Sequence, residues 1–324
     1  MKRNIAIVAG GDTSEHDVSL RSAAGILSFI DKERYNALVV AMRGNDWQVE
    51  IDENTRVAID KNDFSYTYQG QRHTFDFAYI TIHGGPGENG LLQGYFDMMK
   101  IPYSCCGVLA AALTYNKFAC NHYLRSFGFN IADSILLRRG EEISDERVMK
   151  EIGLPCFIKS NVGGSSFGCT KVKTKEQIQP AIEVAMGEGG EVIIEAFMKG
   201  TEVTCGVYKT RQKAVAFPLT EVVSHNEYFD YKAKYNGESD EITPARISEE
   251  LTKQIQQETL RLYSIIGCHG IIRTDYIILE SGQVNLMEVN TTPGMTATSF
   301  IPQKVRAAGL EMIDVLTDIR EDSF

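Results

Sequence analysis

Short apolar runs alternate with helix-period stretches through the first hundred residues, and this alternation constrains the fold more than any other feature of the chain. NIAIVAGG (residues 4–11), NALVVAM (36–42) and FAYITIH (77–83) read as short buried strands. DVSLRSAAGILSFI (17–30) and LLQGYFDMMK (91–100) read as helices. Strands separated by helical crossovers predict an open, mostly parallel α/β sheet. Ligands of such sheets bind at the carboxyl ends of the strands. Two loops leave those ends, GGDTSEHDVS (10–19) and HGGPGENG (83–90).

The middle and end of the chain change character. A helical stretch, VLAAALTYNKFACNHYLRSFG (108–128), precedes strands at LPCFIKS (154–160) and CTKVKT (169–174), which the glycine-rich NVGGSSFG (161–168) joins. A helix over about 175–186 and the strand EVIIEAFMKG (191–200) follow. The last third holds a polar, aromatic insertion (SHNEYFDYKAKYNGESDEITPA, 224–245), a helix over 249–266, a two-stranded segment and a final helix. The chain has 324 residues, enough for two or three domains. We place the divisions at 1–104, 105–195 and 196–324. With no low-complexity linker, these units are expected to close around a shared cleft.

RTDYIILESGQVNLMEVNTTPGMT (273–296) carries the clearest chemistry. Residues 271–280 and 283–290 read as two strands flanking the turn signal Ser281-Gly282. Arg273 and Asp275 lie two apart on one strand, Glu288 and Asn290 two apart on the other, so each pair projects to one face. Paired as a hairpin, all four can share a surface. Two carboxylates, an amide oxygen and a guanidinium suit Mg²⁺ ions carrying a polyphosphate. Taken alone, the same charges also fit two surface salt bridges. The Gly-Pro-rich NTTPGMT that follows is suited to bringing backbone N–H groups close to a ligand.

Other segments carry weaker signals. NVGGSSFG offers N–H and hydroxyl donors at a hairpin tip and can close over phosphates, although no Lys follows its last glycine as in a Walker A loop. Glu195 ends an apolar strand, and the extended Ala196–Met198 segment offers its backbone to a purine edge. Glu202 can take ribose hydroxyls. EYFDYKAKYNGE (227–238), aromatic and charged, has the makings of a lid, with Lys232 and Lys234 on one face.

The net charge of −10 argues against a nucleic-acid or anionic-membrane surface but not against a locally basic nucleotide pocket. No run approaches the ~20 apolar residues of a membrane span. The N-terminal apolar run stops at Gly10-Gly11-Asp12 and reads as a first strand, not a signal peptide. Seven cysteines without a CxxC pair fit reduced core thiols of a cytoplasmic protein.

Taken together, GGDTSEHDVSL, HGGPGENG, IKSNVGGSSFG, EYFDYKAKY, RTDY and EVNTTPGMTATS closely resemble the D-alanine–D-alanine ligases of the ATP-grasp superfamily, in family order from about residue 4 to 305. The resemblance implies an N-terminal α/β domain followed by a two-domain ATP-grasp fold that is α+β in character. It implies ATP as a substrate, two Mg²⁺ with Mn²⁺ as an allowed substitute, room for a monovalent cation, and a homodimer. The implied reaction joins two D-alanines through a D-alanyl phosphate. In it Glu15 would hold the ammonium of the first D-alanine, with Ser165 and Tyr235 completing a hydrogen-bonded triad. His83 would lie near that substrate's carboxylate. Lys117, Lys159 and Lys234 would contact phosphates, and Glu195, Ala196, Met198 and Glu202 the adenosine. Asp275, Glu288 and Asn290 would hold the metals. Arg273 and the Gly294 N–H would form the oxyanion hole, and Ser299 would take the carboxylate of the second D-alanine.

The glycine-rich loop departs from many relatives in reading KSNVGGSS, and YSCCG, Tyr-Asn-Lys and Phe300 also differ, but no catalytic group is lost. Two other functions compete. A D-alanine–D-serine or D-alanine–D-lactate ligase would differ in the second substrate alone, and Tyr235 argues against the lactate enzyme, since those of the acquired-resistance type carry His at the lid. A non-catalytic ATP-binding protein would have lost metal ligands or the oxyanion arginine, and Arg273, Asp275, Glu288 and Asn290 are all present.

Overall fold

The computed structural model describes residues 2–164, 168–224 and 239–323. Ser165, Lys232, Lys234 and Tyr235 lie outside the described residues. The first sheet is built from β1 (Arg3–Gly10), α1 (His16–Phe29), β2 (Tyr35–Arg43), β3 (Asp46–Glu50) and β4 (Arg56–Ala58). A small hairpin of β5 (Tyr66–Tyr68) and β6 (Gln71–His73) precedes β7 (Phe77–Ile80) and α2 (Leu91–Met99). The order is β4-β3-β2-β1-β7, with β1 parallel to both β2 and β7. Ile5 to Ala9 of β1 are fully buried, as a central parallel strand covered on both faces requires. The short antiparallel strands β3 and β4 extend one edge. The sequence reading did not include them: at five and three residues, with charged ends, they give too little periodicity.

The second sheet follows α3 (Val108–Tyr115) and α4 (Lys117–Arg125). It comprises β8 (Ser134–Arg138), α5 (Asp145–Glu151), β9 (Cys156–Ser160), β10 (Thr170–Val172), α6 (Ile178–Gly189) and β11 (Glu191–Ala196). Its order is β10-β9-β11-β8, antiparallel throughout. The single helical stretch expected over 108–128 is two helices. Asn116 leaves helical geometry at φ −91°, ψ 99°, and its side chain accepts from the Ala119 N–H, capping α4.

The third sheet holds β12 (Gly200–Lys209), β13 (Ala214–Ala216), β14 (Thr220–Ser224), β15 (Ser239–Ile242), β16 (Ile271–Leu279) and β17 (Val284–Asn290). α7 (Glu249–Ile266) packs on it and spans the predicted range, capped by the Ser248 side chain and ended by Gly267 at φ +72°. The expected final helix is two, α8 (Phe300–Ala307) and α9 (Met312–Asp322), parted at Gly309.

Packing does not follow the sheets one for one. Cys106, Ala110, Cys120 and Leu124, from α3, α4 and the segment before them, share a core with α7 and the third sheet. Val305, Val315 and Leu316 of α8 and α9 share one with Ile5, Ile7 and Phe77 of the first sheet. The second sheet keeps a core of its own around Ile158, Ile182 and Ile194. First and third sheets are thus joined by continuous apolar contact.

Candidate active site

A cavity of about 880 Å³ opens where the three sheets meet, within the size range of small-molecule sites. Its first wall is the hairpin β16–β17. The turn at Ser281-Gly282 closes with the Gly282 N–H on the Leu279 carbonyl at 2.8 Å, Gly282 taking φ +84°. From there Ile278 faces Val284, Ile277 faces Asn285 and Tyr276 faces Leu286. Continued without interruption, that register would set Asp275 opposite Met287 and Arg273 opposite Val289. It does not continue. Met287 is an extra residue, and beyond it Asp275 faces Glu288 and Arg273 faces Asn290. A one-residue slip exchanges the two faces of a strand. The bulge therefore brings Glu288 and Asn290 to the face of Arg273 and Asp275, as bulges beside functional sites do.

In this state Arg273 grips Asp275 bidentately, Nε to Oδ1 at 2.9 Å and an Nη to Oδ2 at 2.8 Å. The guanidinium also lies 5.3 Å from the centre of the Phe300 ring. Across the cavity, Lys117 Nζ donates to the Gly163 carbonyl at 2.6 Å and stands 3.6 Å from Glu288 Oε2. The start of the glycine-rich loop is thereby tied to the hairpin.

Lys159 on β9 and Glu195 on β11 are neighbours in the second sheet and pair at 2.5 Å. Glu195 Oε1 also takes a long contact of 3.5 Å from Asn121 Nδ2, whose second bond goes to the Met287 carbonyl at 3.3 Å. The bulge, α4 and the end of β11 therefore support one another. Ala196, Met198 and Glu202 continue this wall, with Phe157 and Phe197 lining the same end.

At the other end stand residues of the first sheet's loops. Glu15 is buried just before α1. A Cβ on Gly164 would come within 3.0 Å of both its carboxylate oxygens, so the Gly164 backbone rests directly on it. His83 is buried, with Nε2 3.2 Å from Ser22 Oγ, and burial holds its pKa below the usual range, leaving a neutral ring. Gly294 is close against Ser299, whose Oγ accepts from the Thr296 N–H at 3.1 Å and contacts Thr296 Oγ1 at 2.8 Å.

All fourteen expected site residues within the described region thus line one cavity: Glu15 and His83, Lys117 and Lys159, Glu195, Ala196, Met198 and Glu202, Arg273, Asp275, Glu288 and Asn290, Gly294 and Ser299. Ser165, Lys234 and Tyr235 fall outside the described residues.

Other polar residues at or behind the cavity went unread in the sequence, Glu88, Glu241 and Lys304 among them. Glu88, in HGGPGENG, lines the cavity, and burial with neighbouring Glu15 pushes its carboxyl up to about 7. Glu241 on β15 lines it too, accepts from Gln303 Nε2 at 2.6 Å, and is raised by burial. Lys304 is wholly buried behind it, with Nζ 2.8 Å from the Thr204 carbonyl and 2.7 Å from Thr220 Oγ1. Helical spacing offered a signal for the last, since Ile301, Lys304 and Val305 share one face of α8.

Asp275, Glu288 and Asn290 supply hard oxygen donors of the type Mg²⁺ takes, fewer than a full shell. That fits an ion whose remaining ligands are phosphate oxygens and water.

Comparisons with known proteins agree with this arrangement. The family model for the D-ala D-ala ligase N-terminus matches residues 4–106, and that for the C-terminus residues 123–321. The D-alanine–D-alanine ligase of Bacteroides fragilis strain YCH46 is 68% identical over 324 residues, the full length of both chains. The VanG D-Ala:D-Ser ligase from Enterococcus faecalis superposes with a TM-score of 0.87 at 28% identity, covering 100% of both chains. The D-alanine–D-alanine ligase from Bacillus anthracis complexed with ATP superposes with a TM-score of 0.78 at 26% identity, covering 99% of this chain and 97% of that one. With its bulged hairpin, two loop-borne acids and paired lysines converging on one cavity, the chain belongs to the D-alanine–D-alanine ligase family.

Proposed function

We propose that the protein joins two D-alanines at the expense of ATP, giving D-alanyl-D-alanine, ADP and phosphate, a step in making peptidoglycan precursors. One observation carries this reading: a single cavity gathers the Arg273-Asp275-Glu288-Asn290 surface, Lys117, Lys159 and Glu15 in a chain 68% identical over its full length to such a ligase.

The nucleotide lies between the second and third sheets. Glu195 and the Ala196–Met198 backbone meet the adenine, Glu202 the ribose, and Lys117, Lys159 and Lys234 the phosphates. Asp275, Glu288 and Asn290 would hold two Mg²⁺, which when bound would neutralise phosphate charge. Mn²⁺ can replace them, and a monovalent cation can add to the site. Glu15, supported by Ser165 and Tyr235, holds the first D-alanine's ammonium, and His83 lies by its carboxylate. That carboxylate attacks the γ-phosphorus and ADP leaves, forming D-alanyl phosphate. The second D-alanine, its carboxylate on Ser299, attacks the carbonyl with its amine. The tetrahedral oxyanion is stabilised by Arg273 and the Gly294 N–H, and phosphate departs. For this Arg273 exchanges its present partner, Asp275, for the substrate.

We place the divisions between functional units at 104 and 195. A homodimer fits the exposed apolar side chains of Leu91 and Met98 on α2 and Leu109 on α3, surface that a second copy would cover. A cytoplasmic site of action fits the nucleotide substrate; among the described residues no helix is long and apolar enough to cross a membrane.

The test incubates purified protein with ATP, Mg²⁺ and D-alanine and identifies the product by mass spectrometry. D-alanyl-D-alanine with matching phosphate release is expected. Absence of both overturns the reading, and preferred incorporation of D-serine or D-lactate in competition would reassign the second substrate.

A further inference from the structure

The loop Thr291–Thr296 follows β17 and carries Gly294, yet much of what fixes it comes from the first sheet. The Met295 N–H donates to Ser22 Oγ at 3.4 Å. A Cβ on Gly25 of α1 would meet the Met295 carbonyl oxygen at 2.1 Å, so loop and helix touch backbone to backbone. The third contact is polar and directional. Buried Thr292 has its hydroxyl 2.7 Å from Glu88 Oε1 and 3.3 Å from the Ile82 carbonyl. A hydroxyl has one proton to give, and the shorter contact is to Glu88. The other oxygen of Glu88 accepts from the Gly84 N–H at 2.7 Å. One carboxyl thus joins the loop beginning at His83 to the loop carrying Gly294.

We propose that Glu88 and Thr292 form a positioning latch that sets the Gly294 N–H in register with the first-substrate loop, so that the activated carbonyl and its oxyanion donor stay aligned. The proposal rests on the reading of Gly294 as an oxyanion donor. Its chemical sense is geometric. The first substrate is held by loops of the first sheet and the oxyanion donor by the end of the third, and only a link between them fixes their distance. Misplacement by about 1 Å can cost on the order of 100-fold in rate. The carboxyl is retained at a site that disfavours its charge, beside Glu15, where burial pushes it up to about 7.

Three variants test the latch. Thr292→Val keeps the shape and removes the hydroxyl, Thr292→Ser keeps the hydroxyl, and Glu88→Gln places an amide donor against either the Thr292 hydroxyl or the Gly84 N–H. The expected results are a kcat loss of roughly 10- to 100-fold for Thr292→Val with KM for ATP unchanged, near-normal kcat for Thr292→Ser, and a Glu88→Gln/Thr292→Val double variant little worse than the worse single variant. Amide hydrogen exchange should quicken at residues 292–296 in Thr292→Val while its melting temperature stays close to the parent's. Unchanged kcat and unchanged exchange in Thr292→Val, or fully additive losses in the double variant, overturn the latch. Amide exchange is read without turnover: quickened exchange in a protein that makes no dipeptide would uphold the link and overturn the ligase reading instead.

Discussion

Replacing Lys304 with methionine isolates one buried amine. Lys304 Nζ is wholly enclosed and faces two acceptors, the Thr204 carbonyl and Thr220 Oγ1. A neutral amine has two N–H donors, which these acceptors match, whereas an ammonium brings a third proton and a full charge. Burial therefore pushes the amine down to about 7 against the opposing pull of Cys205, Asp275 and Glu241. In the unfolded chain it returns to about 10.4. Between those values the unfolded chain binds a proton that the folded chain does not, so stability rises with pH across the window and is lost as pH falls through 7. The full window is worth roughly 5 kcal/mol, of which about 2 kcal/mol falls between pH 7 and pH 9. Methionine removes this pH-dependent term. It also removes the donor to the Thr204 carbonyl, a loss of about 1–3 kcal/mol at any pH if that oxygen is left without a partner; Thr220 Oγ1 retains Thr243 Oγ1 at 2.6 Å. The parent still carries the remaining cost of deprotonation at pH 9, which offsets the lost donor, so Lys304→Met should be close to the parent in stability there and should gain about 2 kcal/mol on it on going to pH 7. Urea unfolding of both proteins at pH 7, 8 and 9 measures it. A gap independent of pH would mean that the folded protein keeps the Lys304 proton, refuting the reasoning.

Other outcomes follow from the same geometry. Glu288→Gln should cut D-alanine-dependent phosphate release by more than the ~10–100-fold typical of outer-shell losses at metal sites, with far-UV circular dichroism unchanged; near-normal turnover would remove Glu288 from the metal set. Arg273→Met should lower kcat by roughly 10²–10³-fold, and Arg273→Lys should recover little because a point charge cannot reproduce a planar fork; a lysine variant with full kcat would refute the oxyanion assignment. Gly25→Ala forces a methyl to within 2.1 Å of the Met295 carbonyl and should cost about 1–3 kcal/mol, read as a lowered denaturation midpoint; an unchanged midpoint would show that α1 and the Gly294 loop separate freely.

What the sequence disclosed depends on the range of the interaction behind each feature. β1 and α1 were legible because five consecutive buried residues and a helix-period stripe leave few alternatives. The break at Asn116 was not, because an amide cap inside an alanine-rich run competes with helix continuation by only about 1 kcal/mol. Glu88 stood in plain view within HGGPGENG, but its role depends on Thr292, 204 residues away in the chain. Lys304 lies on the apolar face of its helix, where reading residue types singly takes a lysine for a surface residue.

The hairpin shows most clearly where local reading ends. Period-two spacing placed Arg273 with Asp275 and Glu288 with Asn290, and the Ser281-Gly282 turn paired the strands. Those two facts together put the pairs on opposite faces, since the turn's register opposes Asp275 to Met287. The shared surface exists only because Met287 is extruded, and nothing in Leu-Met-Glu-Val announces a bulge: there is no glycine and no proline. Its cause is tertiary. Before the bulge, the Leu286 N–H is taken by the Asn130 carbonyl at 2.9 Å, and at the bulge Asn121 Nδ2 takes the Met287 carbonyl. Beyond it, Val289 reaches the core shared with α4 and α7 while Glu288 and Asn290 turn to the cavity. Burial of Val289 and exposure of the two polar neighbours to the cavity select the slipped register over the continuous one, so the shared polar face is a product of the core beneath it as much as of the residues that compose it.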